Sequence, residues 1–123
     1  MLAIISPSKT QDFSQCNIDV FSQTRQIESS NELIGILKNK SKSQISKLMS
    51  LSEKLSELNF DRFQKFQLPF TLKNAKQAIL AFKGDVYNGI NAPELSQEDL
   101  EFAQGKVRML SGLYGVIRPL DLI

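Results

Sequence analysis

Residue types that often carry chemistry are scarce in this 123-residue chain, which has no histidine, no tryptophan and one cysteine, Cys16. The absence of histidine excludes histidine-based metal sites, histidine general bases and Ser-His-Asp triads within the chain. A single cysteine cannot form an internal disulfide, so a reducing cytoplasm is the expected compartment. A zinc site built from one cysteine and carboxylates would be unusual. We predict no metal and no cofactor, and we assign no catalytic residue.

Long hydrophobic runs are also missing. No segment approaches the roughly 20 apolar residues that a membrane-spanning helix needs. The chain starts with MLAIISPSKT, which has no basic leader before its short apolar stretch, so we expect no signal peptide. Hydrophobic residues make up 41% of the chain and charged residues 23%, values typical of a globular domain. We expect one structural unit over residues 1–123 that is not associated with a membrane.

The charge is unevenly distributed along the chain, although the net charge is only +2. Residues 38–76 contain nine basic and three acidic side chains, a local charge of +6. Residues 77–107 contain two basic and five acidic side chains, a local charge of −3. A positive block inside a nearly neutral chain is consistent with a polyanionic partner. It is equally consistent with the solvated face of a helix.

The hydrophobic pattern predicts an α/β fold in which short buried strands alternate with helices. The predicted strands are LAIIS (2–6), AILAF (78–82) and RMLSG (108–112). Helices are predicted over 30–39, over 43–66 with a possible break near 59–60, over 72–77 and over 97–107. Their proposed N-terminal caps are Ser29 with Glu32, Thr71, and Ser96 with Asp99. We expect a small mixed or parallel sheet with flanking helices.

Polar residues follow each predicted strand. If the strands are parallel, the loops after them meet at one edge of the sheet, where ligands bind in open α/β sheets. A cleft with two lysines could hold a phosphorylated ligand, or a desolvated lysine could act as a nucleophile or base. The other interpretation is that these are ordinary turn residues. The candidate cleft residues are Ser8, Lys9, Lys83, Asp85, Ser111, Tyr114 and Arg118.

Three of these segments also resemble a known family. LAIISPSKT, QAILAFKGDVYNGI and VRMLSGLYGVIRPLDLI, in this order, resemble the bacterial peroxide-stress protein family YaaA, also called DUF328 or UPF0246. The resemblance extends along the whole chain. Members are about twice as long, and RPLDLI lies near their midpoint. The resemblance therefore implies that the chain is the N-terminal half of a longer single-domain protein.

The resemblance implies several properties. Members are cytoplasmic proteins linked to hydrogen peroxide stress that are thought to limit damage by iron and hydroxyl radicals. Their α/β fold is described as cantaloupe-like, with a positively charged cleft and a helix-hairpin-helix element, and they are reported to bind duplex DNA. No established enzymatic reaction goes with the family. We also expect Leu120, Leu122 and Ile123 to lack their native cover, which would permit self-association.

The spacing of residues 43–66 is consistent with a helix-hairpin-helix motif. In that motif a tight hairpin points backbone N–H groups at a phosphate, and the second helix starts there. Leu51 would pack between the helices, and Ser56 would allow them to approach closely. Serines replace the usual hairpin glycines, and Leu58 lies one place before the expected apolar residue. The candidate DNA-binding residues are Lys47, Met49, Ser50, Leu51, Ser52 and Lys54.

Three functions remain open from the sequence. The first is a non-enzymatic stress protein that binds duplex DNA through its backbone, with little sequence preference. The second is an enzyme or small-molecule binder that uses a phosphate-binding cleft. The third is a fragment without independent activity. The hairpin could also be an ordinary helical hairpin packed in the core.

Overall fold

The structure is a computed structural model that describes residues 1–123. It contains three short strands, six helices and one 3₁₀ turn. The strands are β1 (Ala3–Ile5), β2 (Val107–Ser111) and β3 (Gly115–Ile117). The helices are α1 (Ile27–Leu37), α2 (Lys42–Met49), α3 (Glu53–Lys65), α4 (Ala78–Ala81), α5 (Asp85–Ile90) and α6 (Gln97–Lys106), and the 3₁₀ turn Ala92–Glu94 follows α5. No helix is long and apolar enough to cross a membrane.

The sheet has the order β1-β2-β3, with β1 parallel and β3 antiparallel to β2. This mixed sheet with flanking helices confirms the predicted fold class. Met109 and Ile117 face each other in register and are fully buried. On the other face, Ile4 of β1 is 61% exposed, so the prediction that LAIIS forms a buried strand is wrong for this face. Only one face of the sheet is covered by helices.

The segment AILAF is buried as expected, but it is not a strand. Residues 78–81 form the single turn of α4, flanked by isolated bridges between Gln77 and Leu122 and between Gln11 and Phe82. A short apolar run cannot be assigned to helix or strand by periodicity alone, and its two alanines favour a helical turn. The third strand is instead β3, which the sequence did not predict.

Glycine allows the tight turn into β3. Gly115 has a φ of 73°, in the left-handed region, and any side chain there would collide with Gln26. The turn brings β3 back onto β2, with Ser111 opposite Gly115. The hydroxyl of Ser111 accepts hydrogen bonds from the backbone N–H groups of Leu113 and Tyr114, which fixes the turn.

The observed helices match the helices predicted from the sequence in part. Helix α6 starts at the predicted cap, where Ser96 and Asp99 form a capping box. Helix α1 starts three residues earlier than predicted, with Gln26 at its N-cap. Helix α3 runs through 59–60 without a break. The helix predicted over 72–77 is only a turn at residues 72–74, where the Thr71 N–H donates to the Asn74 side chain.

The proposed cap at Ser29 is wrong because a neighbouring serine stabilises the first turn differently. Ser30 is fully buried in α1, and its hydroxyl donates to the carbonyls of Gln26 and Leu113. The second bond, with an O···O distance of 2.9 Å, joins α1 to the turn before β3. The start of α1 is therefore set by a tertiary contact, which a local capping pattern does not reveal.

The last residues of the chain are well covered. Leu120, Leu122 and Ile123 are each at most 4% exposed, so the expectation that they lack cover is wrong. Residues 119–123 exchange backbone hydrogen bonds with residues 76–79, including Ile123 N–H to the carbonyl of Lys76 at 3.0 Å. The carboxylate of Asp121, fully buried, accepts from the Arg118 guanidinium at 2.7 Å.

Candidate DNA-backbone hairpin and adjacent cavity

The hairpin between α2 and α3 is only three residues long. Helix α2 starts with a capping box of Ser41 and Gln44, and its C-cap is Ser50, which has φ 52° and ψ 52°. This left-handed conformation is the one that favours glycine, so the motif's usual glycine is replaced here by a strained serine. Ser52 then caps α3, its hydroxyl accepting from the N–H of Leu55. The chain therefore turns tightly between two helices at residues 50–52.

Buried side chains hold the two helices together. Leu51 is 8% exposed and packs in an apolar cluster with Ile34, Ile45 and Phe63. Ser56 is also buried, and its hydroxyl donates to the carbonyl of Ser52 at 2.7 Å. Leu51 and Ser56 thus take the packing roles that the spacing predicts for them. The side chain of Leu51 supports the hairpin from inside and is not presented at its outer end.

Some backbone N–H groups of the hairpin donate hydrogen bonds within the chain, and others do not. The N–H groups of Ser50 and Leu51 both donate to the carbonyl of Ser46. Those of Ser52, Glu53 and Lys54 make no hydrogen bond within the chain. Free N–H groups at the start of a 13-residue helix carry partial positive charge and can bind an anion. The anion-binding end of the hairpin is therefore the start of α3.

The side chains beside this end differ in charge. Lys47 and Lys54 are exposed and make no hydrogen bond or ion pair, so both can reach an external phosphate. Met49, at the end of α2, is 36% exposed. Glu53, the first residue of α3, is also exposed and places a negative charge next to the free N–H groups. This carboxylate opposes anion binding.

The SPSKT loop supports the hairpin from the other side. The ammonium of Lys9 donates to the carbonyl of Ser50 at 2.9 Å. This carbonyl is at the C-terminal end of α2, where a positive charge is favourable. Lys9 therefore links the loop after β1 to the strained residue of the hairpin.

Four of the seven predicted cleft residues lie together. Ser8, Lys9, Ser111 and Tyr114 line one cavity of about 770 Å³, located between the SPSKT loop, α1, α3 and the turn before β3. The loops of Lys9 and Lys83 are adjacent, since the Lys83 N–H donates to the carbonyl of Thr10 at 3.0 Å. We call this space the central cavity.

The other three predicted cleft residues do not line the central cavity. The ammonium of Lys83 faces Asp12, at an N···O distance of 3.8 Å, on the surface. Asp85 is the first residue of α5. Arg118 is bound by the Asp121 carboxylate and by the carbonyl of Gln23, which gives it a structural role. The predicted set therefore separates into four cavity residues and three residues that lie outside the cavity.

Arg62 was missed by the sequence reasoning although it lies in the central cavity. Its guanidinium donates to the side-chain and backbone oxygens of Gln11, both at 3.3 Å, and lies 4.8 Å from the centre of the Phe13 ring. Burial lowers its pKa, and burial also raises the pKa of the neighbouring Tyr114 phenol. The sequence placed Arg62 in the basic block but could not show that it points inward.

The residues able to bind metals are scattered. No group of three or more aspartate, glutamate, cysteine or histidine side chains could hold a metal ion. Cys16 is a free, partly buried thiol. No site on the chain thus presents a recognisable set of metal ligands.

Comparisons with known proteins define the class of this mixed α/β chain. Residues 1–123 match the family profile described as "Peroxide stress protein YaaA". A relative from Cellvibrio japonicus (strain Ueda107), described as a UPF0246 protein, is 52% identical over 124 residues, which cover all of this chain and 48% of the relative. The chain belongs to the peroxide stress protein YaaA (UPF0246) family. It spans about half the length of this curated relative.

Proposed function

We propose that the protein acts in the peroxide stress response by binding duplex DNA without sequence preference, which limits iron-dependent oxidative damage to that DNA. Family membership supports the role in stress. The observation that supports DNA binding is the set of free N–H groups at the start of α3, beside two unpaired lysines. Backbone N–H groups and lysines contact phosphates rather than base edges, so this surface would carry no sequence readout.

The binding geometry follows from the hairpin. A phosphate at the start of α3 would accept from the N–H groups of Ser52, Glu53 and Lys54, while Lys47 and Lys54 neutralise neighbouring phosphates. Met49 would pack against the sugar, because it is the exposed apolar side chain next to the turn. Leu51 and Ser50 act indirectly, by fixing the turn that presents these groups.

A titration of labelled duplex DNA tests this function. Replacing Lys47 and Lys54 together by glutamine should weaken binding about equally on unrelated sequences. The slope of log affinity against log salt concentration should flatten by about 0.9 for each phosphate contact removed. The matched control replaces Lys73 and Lys106, two exposed lysines away from the hairpin, and should change both quantities less.

A second variant tests the helix end specifically. Glu53→Gln removes the negative charge next to the free N–H groups and should strengthen duplex binding, because it relieves repulsion of the phosphate. Equal affinity of the wild type and all three variants would contradict the proposal. The same titration on the full-length Cellvibrio japonicus relative shows whether a longer member binds DNA more tightly than this chain.

The protective role has its own measurement. Plasmid DNA treated with ferrous iron and hydrogen peroxide is nicked, and the proposed function predicts less nicking when the protein is present. The double lysine variant should protect less, in proportion to its weaker DNA binding. Equal protection by the wild type and the double lysine variant would mean that protection does not depend on the hairpin lysines, which would contradict the proposed mechanism.

A further inference from the structure

We propose that the central cavity binds an amphipathic organic anion, whose apolar body lies among the side chains of α1 and α3 and whose carboxylate or phosphate group is held by Arg62. The charged groups of this site differ from those of the proposed DNA surface, which are Lys47, Lys54 and the free N–H groups of α3, although Met49 of that surface also lines the cavity. The ligand is defined by three features of the cavity: its apolar wall, its uncompensated positive charge and its size.

The wall of the cavity is mainly apolar. Fifteen of the 26 lining residues are hydrophobic, and none is an aspartate or glutamate. Phe66, Phe70 and Tyr114 form a row with ring centres 5.1 and 6.3 Å apart, which gives the cavity an aromatic side. Leu33 of α1 and Leu48 of α2 remain 40% and 67% exposed. A ligand with a hydrophobic body would remove this surface from water.

The charge of Arg62 has no counterion. Its guanidinium is within hydrogen-bond distance of Gln11 only, and both contacts are long at 3.3 Å. No carboxylate forms an ion pair with it. A partly buried charge that faces only neutral groups is poorly solvated, and an anion placed beside it restores the lost stabilisation. The planar guanidinium presents parallel donors, which suit a carboxylate or phosphate.

Two further groups that line the cavity favour an anion there. Lys9 lines the same cavity, and its ammonium is bound only to a neutral carbonyl. The Tyr114 phenol is close enough to Arg62 for each to affect the pKa of the other. An anion next to Arg62 would thus meet the guanidinium and a phenol that stays protonated at neutral pH, while Lys9 adds a second positive charge to the same cavity.

The size of the cavity favours a small molecule. A volume of about 770 Å³ lies within the roughly 300–1,000 Å³ typical of ligand sites. Duplex DNA does not match this recess, because its backbone is a continuous polar surface and the wall of the recess is mainly apolar. The apolar wall would also gain nothing from inorganic phosphate alone. These facts point to an apolar body and an anionic group in one molecule.

Isothermal titration calorimetry on the purified chain tests the ligand class with three probes. The amphipathic anion is 2-naphthoate, its neutral counterpart is 2-naphthalenemethanol, and inorganic phosphate represents an anion without an apolar body. We expect 2-naphthoate to bind at least about tenfold more tightly than either control, because only it uses both the wall and Arg62. Equal affinity for the first two probes would overturn the role of Arg62.

Variants assign the binding to the cavity. Arg62→Gln should weaken 2-naphthoate binding about 10- to 100-fold, while Arg62→Lys, which keeps the charge but not the fork of donors, should restore part of it. Tyr114→Phe keeps the aromatic wall and tests the phenol without removing charge. Lys106→Gln on α6 is the matched surface control and should change nothing. Thermal melts confirm that each variant is folded.

Other occupants of the cavity give different results. Sedimentation velocity showing a dimer that Leu48→Asp abolishes, with no 2-naphthoate binding by the monomer, would mean that a second copy fills the cavity and would overturn the proposal. Competition with duplex DNA separates the two sites. Displacement of 2-naphthoate by DNA would show that the cavity belongs to the DNA surface, which would also overturn the proposal, whereas independent binding supports it.

Discussion

Two regions of the fold differ in how completely they are packed. The segment 117–123 and the segment 76–82 are closed against each other by backbone hydrogen bonds, and most of their side chains are buried. The layer of α1, α2 and α3 is open, with apolar side chains exposed around the central cavity and unpaired lysines on the hairpin. We call the first region the packed region and the second the open layer.

The difference shows where stability and binding are located. The packed region neutralises its buried carboxylate internally, since the Asp121 side chain is held by the Arg118 guanidinium and backbone N–H. The open layer leaves Arg62 without a counterion and the start of α3 without partners. Groups left unsatisfied by the fold are the ones that external ligands can satisfy. Mutations should therefore affect stability in the packed region and binding in the open layer.

The largest expected effect is on the buried ion pair. Asp121→Ala leaves the Arg118 guanidinium without its carboxylate and should lower the free energy of unfolding by about 3–5 kcal/mol. Denaturant titration measures this loss. The matched control is Lys42→Gln, which breaks the exposed pair of Lys42 and Glu57 and should leave stability unchanged within error. Similar losses in both variants would remove the contrast between the two regions.

The same substitution, leucine to alanine, can be made in the packed region and in the open layer and compares their stability directly. Leu122→Ala opens a cavity at a fully buried site and should cost about 2–5 kcal/mol. Leu48→Ala removes the same atoms from a side chain that is 67% exposed, and should change stability by about 0.5 kcal/mol or less. Thermal denaturation of both variants is sufficient. A large loss for Leu48→Ala would mean that the open layer is covered in solution.

Because Ser50 of the hairpin is strained, we expect a substitution there to increase the stability of the protein. Ser50→Gly should stabilise the protein by up to about 1 kcal/mol, because glycine adopts the left-handed conformation without steric cost. Ser43→Gly, at an exposed site inside α2, should instead destabilise it by about 0.5 kcal/mol. If both glycine variants lose stability in denaturant titrations, Ser50 is not strained in solution.

The last effect is absent at neutral pH and is a dependence of stability on alkaline pH. The buried hydroxyl of Tyr87 donates to the carbonyl of Ser6 at 2.6 Å, and burial raises the pKa of Tyr87 from 10.0 to about 12. Because the folded state holds this proton more tightly, its contribution is complete below pH about 10 and is lost as pH rises through about 12. Tyr87→Phe should flatten the stability curve in that window. An unchanged curve would show that Tyr87 ionises equally well in both states.

The sequence predicted the elements whose signals are local. The capping box at Ser96 and Asp99 placed the start of α6, and the spacing around Leu51 placed the hairpin. Signals that depend on distant residues gave errors. The start of α1 is fixed by the contact between Ser30 and Leu113, and the run AILAF is a helical turn whose two flanks bridge to other segments.

The residues of the central cavity were also predicted only in part from the sequence. The expectation that Ser8, Lys9, Ser111 and Tyr114 converge came from the positions of strand ends, although the strand assumed at 78–82 is a helical turn. The residue with the unpaired charge, Arg62, lies in the middle of a helix and has no motif around it. Its direction is set by how α3 packs on the SPSKT loop, which only the tertiary structure reveals.

The most direct test of this account measures two ligands on two variants. Wild type, Arg62→Gln, and the double variant Lys47→Gln with Lys54→Gln are each titrated with labelled duplex DNA and with 2-naphthoate. The account predicts that the lysine variant loses affinity for DNA and keeps its affinity for 2-naphthoate, while Arg62→Gln does the reverse. Loss of both ligands in either variant would contradict the claim that the open layer has two separate anion sites.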